Sequence, residues 1–314
     1  MNPEIAELRE VIGTENDRIM MRHRHRGTTA PVLSREIMQE HTNLADTVIR
    51  RIYGSARAEG EVDPDRTLSI IALGGYGREE LNPHSDIDLL LLHDPKRCRR
   101  GDLEAFASRL ITALWDVGFE VGHGVRTIGE CRSAALADVD SRTAMLEGRF
   151  VVGNTQLYRR YETDIKTRAM RRGVRKYIAE KIDDWTRDTG GPEATVYVQE
   201  PHLKDGVGGL REVHISRWVA RARFGVWELS DLADHNLVPD SAVSDYESAL
   251  DFIWRVRNEL HYLARRRADI LSFDMQERVA KQLGYVDIGR HLAEEQFMRD
   301  YYRHAHWIHE CARI

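Results

Sequence analysis

Two short apolar runs, each bordered by residues that strand interiors seldom carry, constrain this chain more than any other feature. Leu68-Ser69-Ile70-Ile71-Ala72-Leu73 ends in Gly74-Gly75, and Ile87-Asp88-Leu89-Leu90-Leu91-Leu92 is headed by Asp86. Runs of this length with such flanks predict buried strands. Leu103, Phe106, Leu110 and Leu114 then recur at helical spacing, and Phe119, Val121 and Val125 alternate as a third strand would. Strand, turn, strand, helix, strand is a small α/β unit.

Helical text surrounds that unit. Ile5, Leu8 and Ile12, then Ile37, Leu44, Val48 and Ile52, recur every three or four residues over 1–60. From about residue 129 onward the spacing predicts helices over 133–150, 155–186, 212–224, 242–267, 274–284 and 292–312. Thr189-Gly190-Gly191-Pro192 reads as a linker, so the expected division is a helical extension over 1–60, an α/β core over 61–188 and a helical lobe over 189–314. The basic run Arg22-His23-Arg24-His25-Arg26 reads as a solvated helix end or loop. His304, His306 and His309 sit in the last helix, where 304 and 306 do not share a face, and read as a solvated histidine-rich surface.

Composition removes several function classes. The net charge of −5 argues against a general nucleic-acid coat, which needs a basic face. No apolar run reaches the roughly 20 residues that span a bilayer, and the first residues lack a signal peptide's pattern. Three scattered cysteines, Cys98, Cys131 and Cys311, offer neither a disulfide framework nor a CxxC knuckle. A cytoplasmic protein is expected.

The chemistry concentrates in Leu73–Asp88. Two glycines after a strand let the backbone approach a ligand and present N–H groups to it. Gly75 is expected to tolerate no side chain, on the expectation that its φ is positive. Arg78 follows as a phosphate partner. Asp86 and Asp88, two residues apart on a strand, point to the same face. Two carboxylates in front of a glycine phosphate cradle suit magnesium, which takes hard oxygen ligands together with substrate phosphates. Each part alone is ordinary turn chemistry; the combination is specific.

Gly74-Gly75, followed eleven residues later by Asp86-Ile87-Asp88, resembles the DNA polymerase beta-type nucleotidyltransferase signature. The fuller strings Leu73–Leu81 and Ser85–Leu92 resemble the PII-protein uridylyltransferases. Val121–Thr127, Glu200–Glu212, Arg257–His261 and Glu294–Tyr302 support that narrower likeness, and glutamine-synthetase adenylyltransferases carry a string related to the second of these. The resemblance implies an α/β (α+β) nucleotidyltransferase core with a small mixed sheet, N-terminal helices and a C-terminal all-helical lobe. It also implies magnesium-dependent transfer of UMP from UTP to a tyrosine of the PII nitrogen-signalling protein, with manganese as an alternative ion. Asp86 and Asp88 would be the catalytic metal ligands. Gly74, Gly75 and Ser85 would hold the triphosphate, with Arg78 as a secondary contact. Lys204 and Arg211 would reach the nucleotide from a flexible, charged segment, or else form an interlobe hinge.

Family members normally continue into a UMP-removing HD domain and glutamine-sensing ACT domains. Ile314 lies inside a helical pattern, so a fragment or short form without those two activities is expected. Two departures stand out. A third carboxylate has two candidates, Glu120 and Glu147, and His84 occupies a place where aromatic residues are frequent. The alternatives are a protein adenylyltransferase or other regulatory nucleotidyltransferase, and a nucleotide-sensing or PII-docking module without turnover.

Overall fold

The computed structural model describes residues 3–25, 33–58, 63–234 and 238–313. They fall into two compact units. The first runs to Arg22 and adds Glu36–Leu81 and Ser85–Arg172; the second holds His23–Arg35, Asn82–His84 and Gly173–Ile314.

In chain order the elements up to residue 172 are α1 (Pro3–Arg24), α2 (Ser34–Ala58), the single turn α3 (Pro64–Thr67), β1 (Leu68–Leu73), the single turn α4 (Gly74–Gly77), β2 (Ile87–His93), α5 (Arg100–Asp116), β3 (Val121–Arg126), α6 (Ile128–Ala137), α7 (Val139–Leu146), β4 (Arg149–Gly153) and α8 (Thr155–Tyr161), which runs on into a π-helical stretch, Glu162–Ala169. The sheet order is β3-β2-β1-β4. β1 is antiparallel to β2 and to β4, whereas β2 and β3 are parallel. The sheet is therefore small and mixed.

Both faces of the central strands are covered, which is why their sequences are continuous apolar runs rather than alternating ones. Ile70, Ala72, Ile87, Leu89 and Leu91 pack with residues of α1, α2 and α5, including Ile49, Phe106 and Leu110. Ile71, Leu90 and Leu92 pack on the other face with Cys131, Met145, Tyr161 and Ile165. Thr127 caps α6 in a reciprocal box with Glu130, which fixes the exit from β3.

The second unit is helical: α9 (Val174–Thr189), α10 (Leu210–Phe224), α11 (Leu229–Ala233), α12 (Asp240–Ala264), α13 (Phe273–Gln282) and α14 (Ala293–Ala312). Leu250, Ile253, Trp254 and Leu260 of α12 are buried, as are Phe297, Tyr301 and Ile308 of α14. The first four of these side chains form the core face of α12. Among the described residues no helix is long and apolar enough to cross a membrane.

The structure corrects four expectations. The helix expected over 133–150 is two short helices, and Arg149 opens a fourth strand that pairs with β1. The helix expected over 155–186 breaks at Gly173, whose φ is +66°. The run at 22–26 is not a solvated end: His23 is buried, and Arg24 donates to the buried Glu259 at 2.6 Å. Arg26 lies outside the described residues. His309 is also buried, and His304 stacks on Phe252 at 4.4 Å between ring centroids.

Candidate active site

β1 delivers the chain into the glycine turn, and the turn is held from two sides. Tyr76, buried within it, donates its hydroxyl to Asp46 of α2 at 2.5 Å. Arg149 of β4 donates to both oxygens of Asp46 at 2.9 Å and lies over the Tyr76 ring at 5.1 Å. Burial, and then the Asp46 carboxylate, push the Tyr76 hydroxyl pKa well above its ordinary value, so it remains a donor. On the other side Arg78 donates to Glu80 at 2.7 Å and to Glu147 at 2.6 Å. Burial opposes the Arg78 charge, but Glu147 and Glu80 outweigh it and raise its pKa.

Arg78 is thus placed as a strut between two carboxylates, an environment different from the open phosphate partner expected from sequence. Asp46, Tyr76 and Arg149 were not legible as site residues, because their pairing spans 103 residues of chain. Glycine roles are also redistributed. Gly74 has the positive φ of +57°, while a Cβ on Gly75 would meet nothing closer than Glu80 O at 3.6 Å. At Gly77 a Cβ would come within 2.7 Å of Glu147 O and 2.8 Å of Ala72 O. The close approach that needs glycine lies at Gly74 and Gly77, not at Gly75.

Asp88 is flanked by Leu73 on β1 and Gly122 on β3. A Cβ on Gly74 would lie 3.2 Å from Asp88 Oδ2, and one on Gly122 would collide with Asp88 Oδ1. The carboxylate therefore occupies a slot with glycine on both sides. Asp86 and Asp88 are exposed; Asp88 is the second residue of β2 and Asp86 immediately precedes that strand. Ser85 precedes them, half-buried. Of the two candidates for a third carboxylate, Glu147 is buried against Arg78. Ile87 pairs with Val121 and its N–H donates to Glu120 O at 2.8 Å, so Glu120, exposed, immediately precedes β3 beside the start of β2. Among the described residues no three His, Cys, Asp or Glu side chains gather closely enough to hold a metal by themselves.

Residues 176–314 match the family model described as GlnD PII-uridylyltransferase, and residues 16–131 match the model of a putative nucleotidyltransferase, DUF294. A bifunctional uridylyltransferase/uridylyl-removing enzyme of Nitrosococcus oceani is 37% identical over 270 residues, covering 86% of this chain and 30% of the relative. That of Rhodospirillum rubrum is 32% identical over 315 residues, covering 99% and 33%. The enzyme of Azotobacter vinelandii is 38% identical over 241 residues, covering 76% and 26%. Over most of its own length the chain is similar to the PII-uridylyltransferases. It spans about a third of the length of these relatives.

The uridylyltransferase family's helical region contains the remaining sequence candidates, Lys204 and Arg211, in the second unit. Lys204 is half-buried; burial, followed by Arg211, lowers its pKa. Arg211 donates to Asp205 at 3.1 Å. Their segment is not a loose hinge. Gly206 N donates to His202 O at 2.9 Å, Gly209 N to Gly206 O at 3.0 Å and Leu210 N to Leu203 O at 3.0 Å. A Cβ on Gly206 would come within 2.6 Å of His202 O, so this glycine serves close packing. Glu212 is fully buried and accepts from Trp185 at 2.8 Å, from Gly208 N at 2.9 Å and from His309 at 2.9 Å.

The donor set fits magnesium. This ion is commonly bound by one or two carboxylates, its other positions filled by water and substrate phosphates. Asp86 and Asp88 supply such a pair, and the glycine-lined slot around Asp88 keeps carbon away from the carboxylate.

Proposed function

We propose that this chain carries the nucleotidyl-transfer site of a PII-protein uridylyltransferase, moving UMP from UTP to a tyrosine hydroxyl of the PII protein in the cytoplasm. The observation that carries the reading is the carboxylate pair, with Asp88 set between Gly74 and Gly122. The names and matched regions of the relatives support it. In the reaction the acceptor oxygen bonds to the α-phosphorus, the bond to the pyrophosphate oxygen breaks, and the hydroxyl proton is lost. Asp86 and Asp88 would hold magnesium, with manganese as an alternative, and the metal would neutralise charge on the triphosphate. The Gly74–Gly77 turn and Ser85 would orient the phosphates through backbone N–H and hydroxyl groups, and Lys204 and Arg211 would add positive charge. Arg78 would act on the nucleotide through the turn it braces. Fixed orientation and pre-set charge supply most of the acceleration in this scheme.

The commitment of Glu147 to Arg78 favours one alternative, a nucleotide-sensing module without turnover, because it removes one candidate for the third carboxylate. One experiment separates the two. The chain is incubated with magnesium, purified PII protein and each nucleoside triphosphate in turn, and PII is weighed by intact mass spectrometry. A gain of one UMP per PII subunit with UTP alone is the expected result. A gain of AMP would make the chain an adenylyltransferase. Nucleotide binding with no mass gain would establish the sensing module.

A further inference from the structure

A transferase that modifies a tyrosine on the surface of another protein also meets the tyrosines on its own surface. The sequence holds eleven. Seven of them are buried, out of reach of a nucleotide bound elsewhere. Three more are half-buried and their hydroxyls are committed. Tyr158 donates to Gly148 O at 3.2 Å, Tyr285 to Asp300 at 2.9 Å and Tyr302 to Val198 O at 3.0 Å. Burial pushes the Tyr158 hydroxyl pKa up to about 12 and raises that of Tyr302, so each yields its proton less readily.

Tyr197 is the remaining one. It is 71% exposed, and among the described residues its hydroxyl has no hydrogen-bond partner. It belongs to no helix or strand, so no neighbour three or four residues away flanks the ring as it would on a helix. The loop that carries it is nonetheless fixed on both sides. Val196 is buried, and Val198 N donates to its carbonyl at 2.9 Å. The Val198 carbonyl accepts from Tyr302, the Gln199 carbonyl accepts from Gln276 Nε2 at 2.6 Å, and Glu200 accepts from Phe273 N at 3.0 Å. The Tyr302 ring steadies that of Tyr197, with 5.4 Å between centroids. The side chain therefore stands out from backbone that is already ordered, and a site that captures it has little ordering entropy left to supply.

We propose that Tyr197 is a self-modification site, and that the transfer site of one copy of the chain attaches UMP to the Tyr197 hydroxyl of a second copy. The inference rests on the uridylyl-transfer reading given above. Between copies, the tyrosine approaches the site as any protein acceptor does. Its oxygen bonds to the α-phosphorus of UTP, the bond from that phosphorus to the pyrophosphate oxygen breaks, and the phenolic proton passes to water. The product is a phosphodiester, which adds negative charge to the helical unit.

The test separates donor from acceptor with two variants. Tyr197→Phe keeps the transfer site and lacks the acceptor hydroxyl. Asp88→Asn keeps the acceptor and lacks a metal ligand. Wild type and each variant are incubated alone with UTP and magnesium, the two variants are then mixed, and parallel reactions contain PII protein. Intact mass and peptide mapping read the UMP. Wild type should gain a single UMP, on the peptide that contains Tyr197, and neither variant should gain any alone. In the mixture the Asp88→Asn chain should gain it and the Tyr197→Phe chain should not. Tyr197→Phe should modify PII at the wild-type rate, and added PII should slow self-modification of wild type, because both acceptors need one site. PII modified by wild type with no UMP on Tyr197 overturns the self-modification site and leaves the transfer reading standing. UMP on Tyr197 of wild type with none passed in the mixture overturns transfer between copies. Wild type that modifies neither PII nor itself overturns the transfer reading, and this inference with it.

Discussion

Asp88 is bordered by glycine on two strands' ends, and single residues there separate chemistry from folding. Asp86→Asn and Asp88→Asn keep shape and remove the charge that would hold a cation. Two like charges facing one spot without metal are unfavourable, so their removal does not cost the apo fold. Expected are loss of transfer and an unchanged or raised melting temperature in metal-free buffer; activity within about threefold of wild type in both variants would sink the assignment. Gly122→Ala must displace the Asp88 carboxylate, whose Oδ1 occupies the space of the new methyl group. Gly75→Ala meets only ordinary van der Waals contacts. Mn2+ titration of the two variants should therefore show weakened binding for Gly122→Ala and near wild-type binding for Gly75→Ala. The reverse order would place the metal elsewhere. The Asp86-Ile87-Asp88 spacing was conspicuous in the sequence, since residues two apart on a strand are expected to share a face. Gly122 was not, because its importance depends on the β2–β3 register, which a single strand's sequence does not state.

At the scale of elements, the strands with continuous apolar runs were readable and β4 was not. Arg149-Phe150-Val151-Val152-Gly153 is short, opens on a charged residue and directly follows helical text. Its identity comes from β1, and the charge at its head is satisfied by Asp46 of α2, far away in the chain. That long-range pair gives β4 a second task, since the same Asp46 accepts from Tyr76 in the glycine turn. Asp46→Ala would leave the buried Tyr76 hydroxyl and the partly buried Arg149 guanidinium without their shared acceptor. Such a loss costs about 2–4 kcal/mol, between a hydrogen bond to a charged group and a broken buried ion pair. Urea unfolding should show a fall in that range, accompanied by weaker triphosphate binding as the turn loosens. A fall below about 1 kcal/mol would mean that the turn is held by its own backbone bonds. The Glu200–Glu212 segment went the other way: its glycines and charges suggested flexibility, yet its glycines are packed and Glu212 is an internal acceptor.

At the scale of the whole molecule, the two units carry separate cores, and the second carries its own acid sensitivity. Thr189–Pro192 marks a break in composition, but the compact units divide in sequence after Arg172, because α9 packs with α10. Within the second unit two carboxyl groups are held ionised. Burial raises the Asp269 pKa, but His261 and Arg257 outweigh it and set it far below its ordinary 3.8. At Glu259 burial is likewise outweighed, by His23 and Arg24, and the pKa falls below 4.5. Both folded values are depressed, so the unfolded chain binds more protons than the folded one as the pH drops. The stability these groups contribute is complete above about pH 5, begins to drain near pH 4.5 and continues to fall toward the folded values. The urea midpoint of the wild-type chain should therefore decline steadily between about pH 5 and pH 3. Asp269→Asn removes the group with the larger depression and leaves Arg257 and His261 without their anionic partner. The variant should be less stable than wild type at pH 7, and the difference should shrink as the pH approaches 3. A difference that stays constant across that range would show that Asp269 acts through packing alone, and that the charge it shares with Arg257 and His261 does not stabilise the unit.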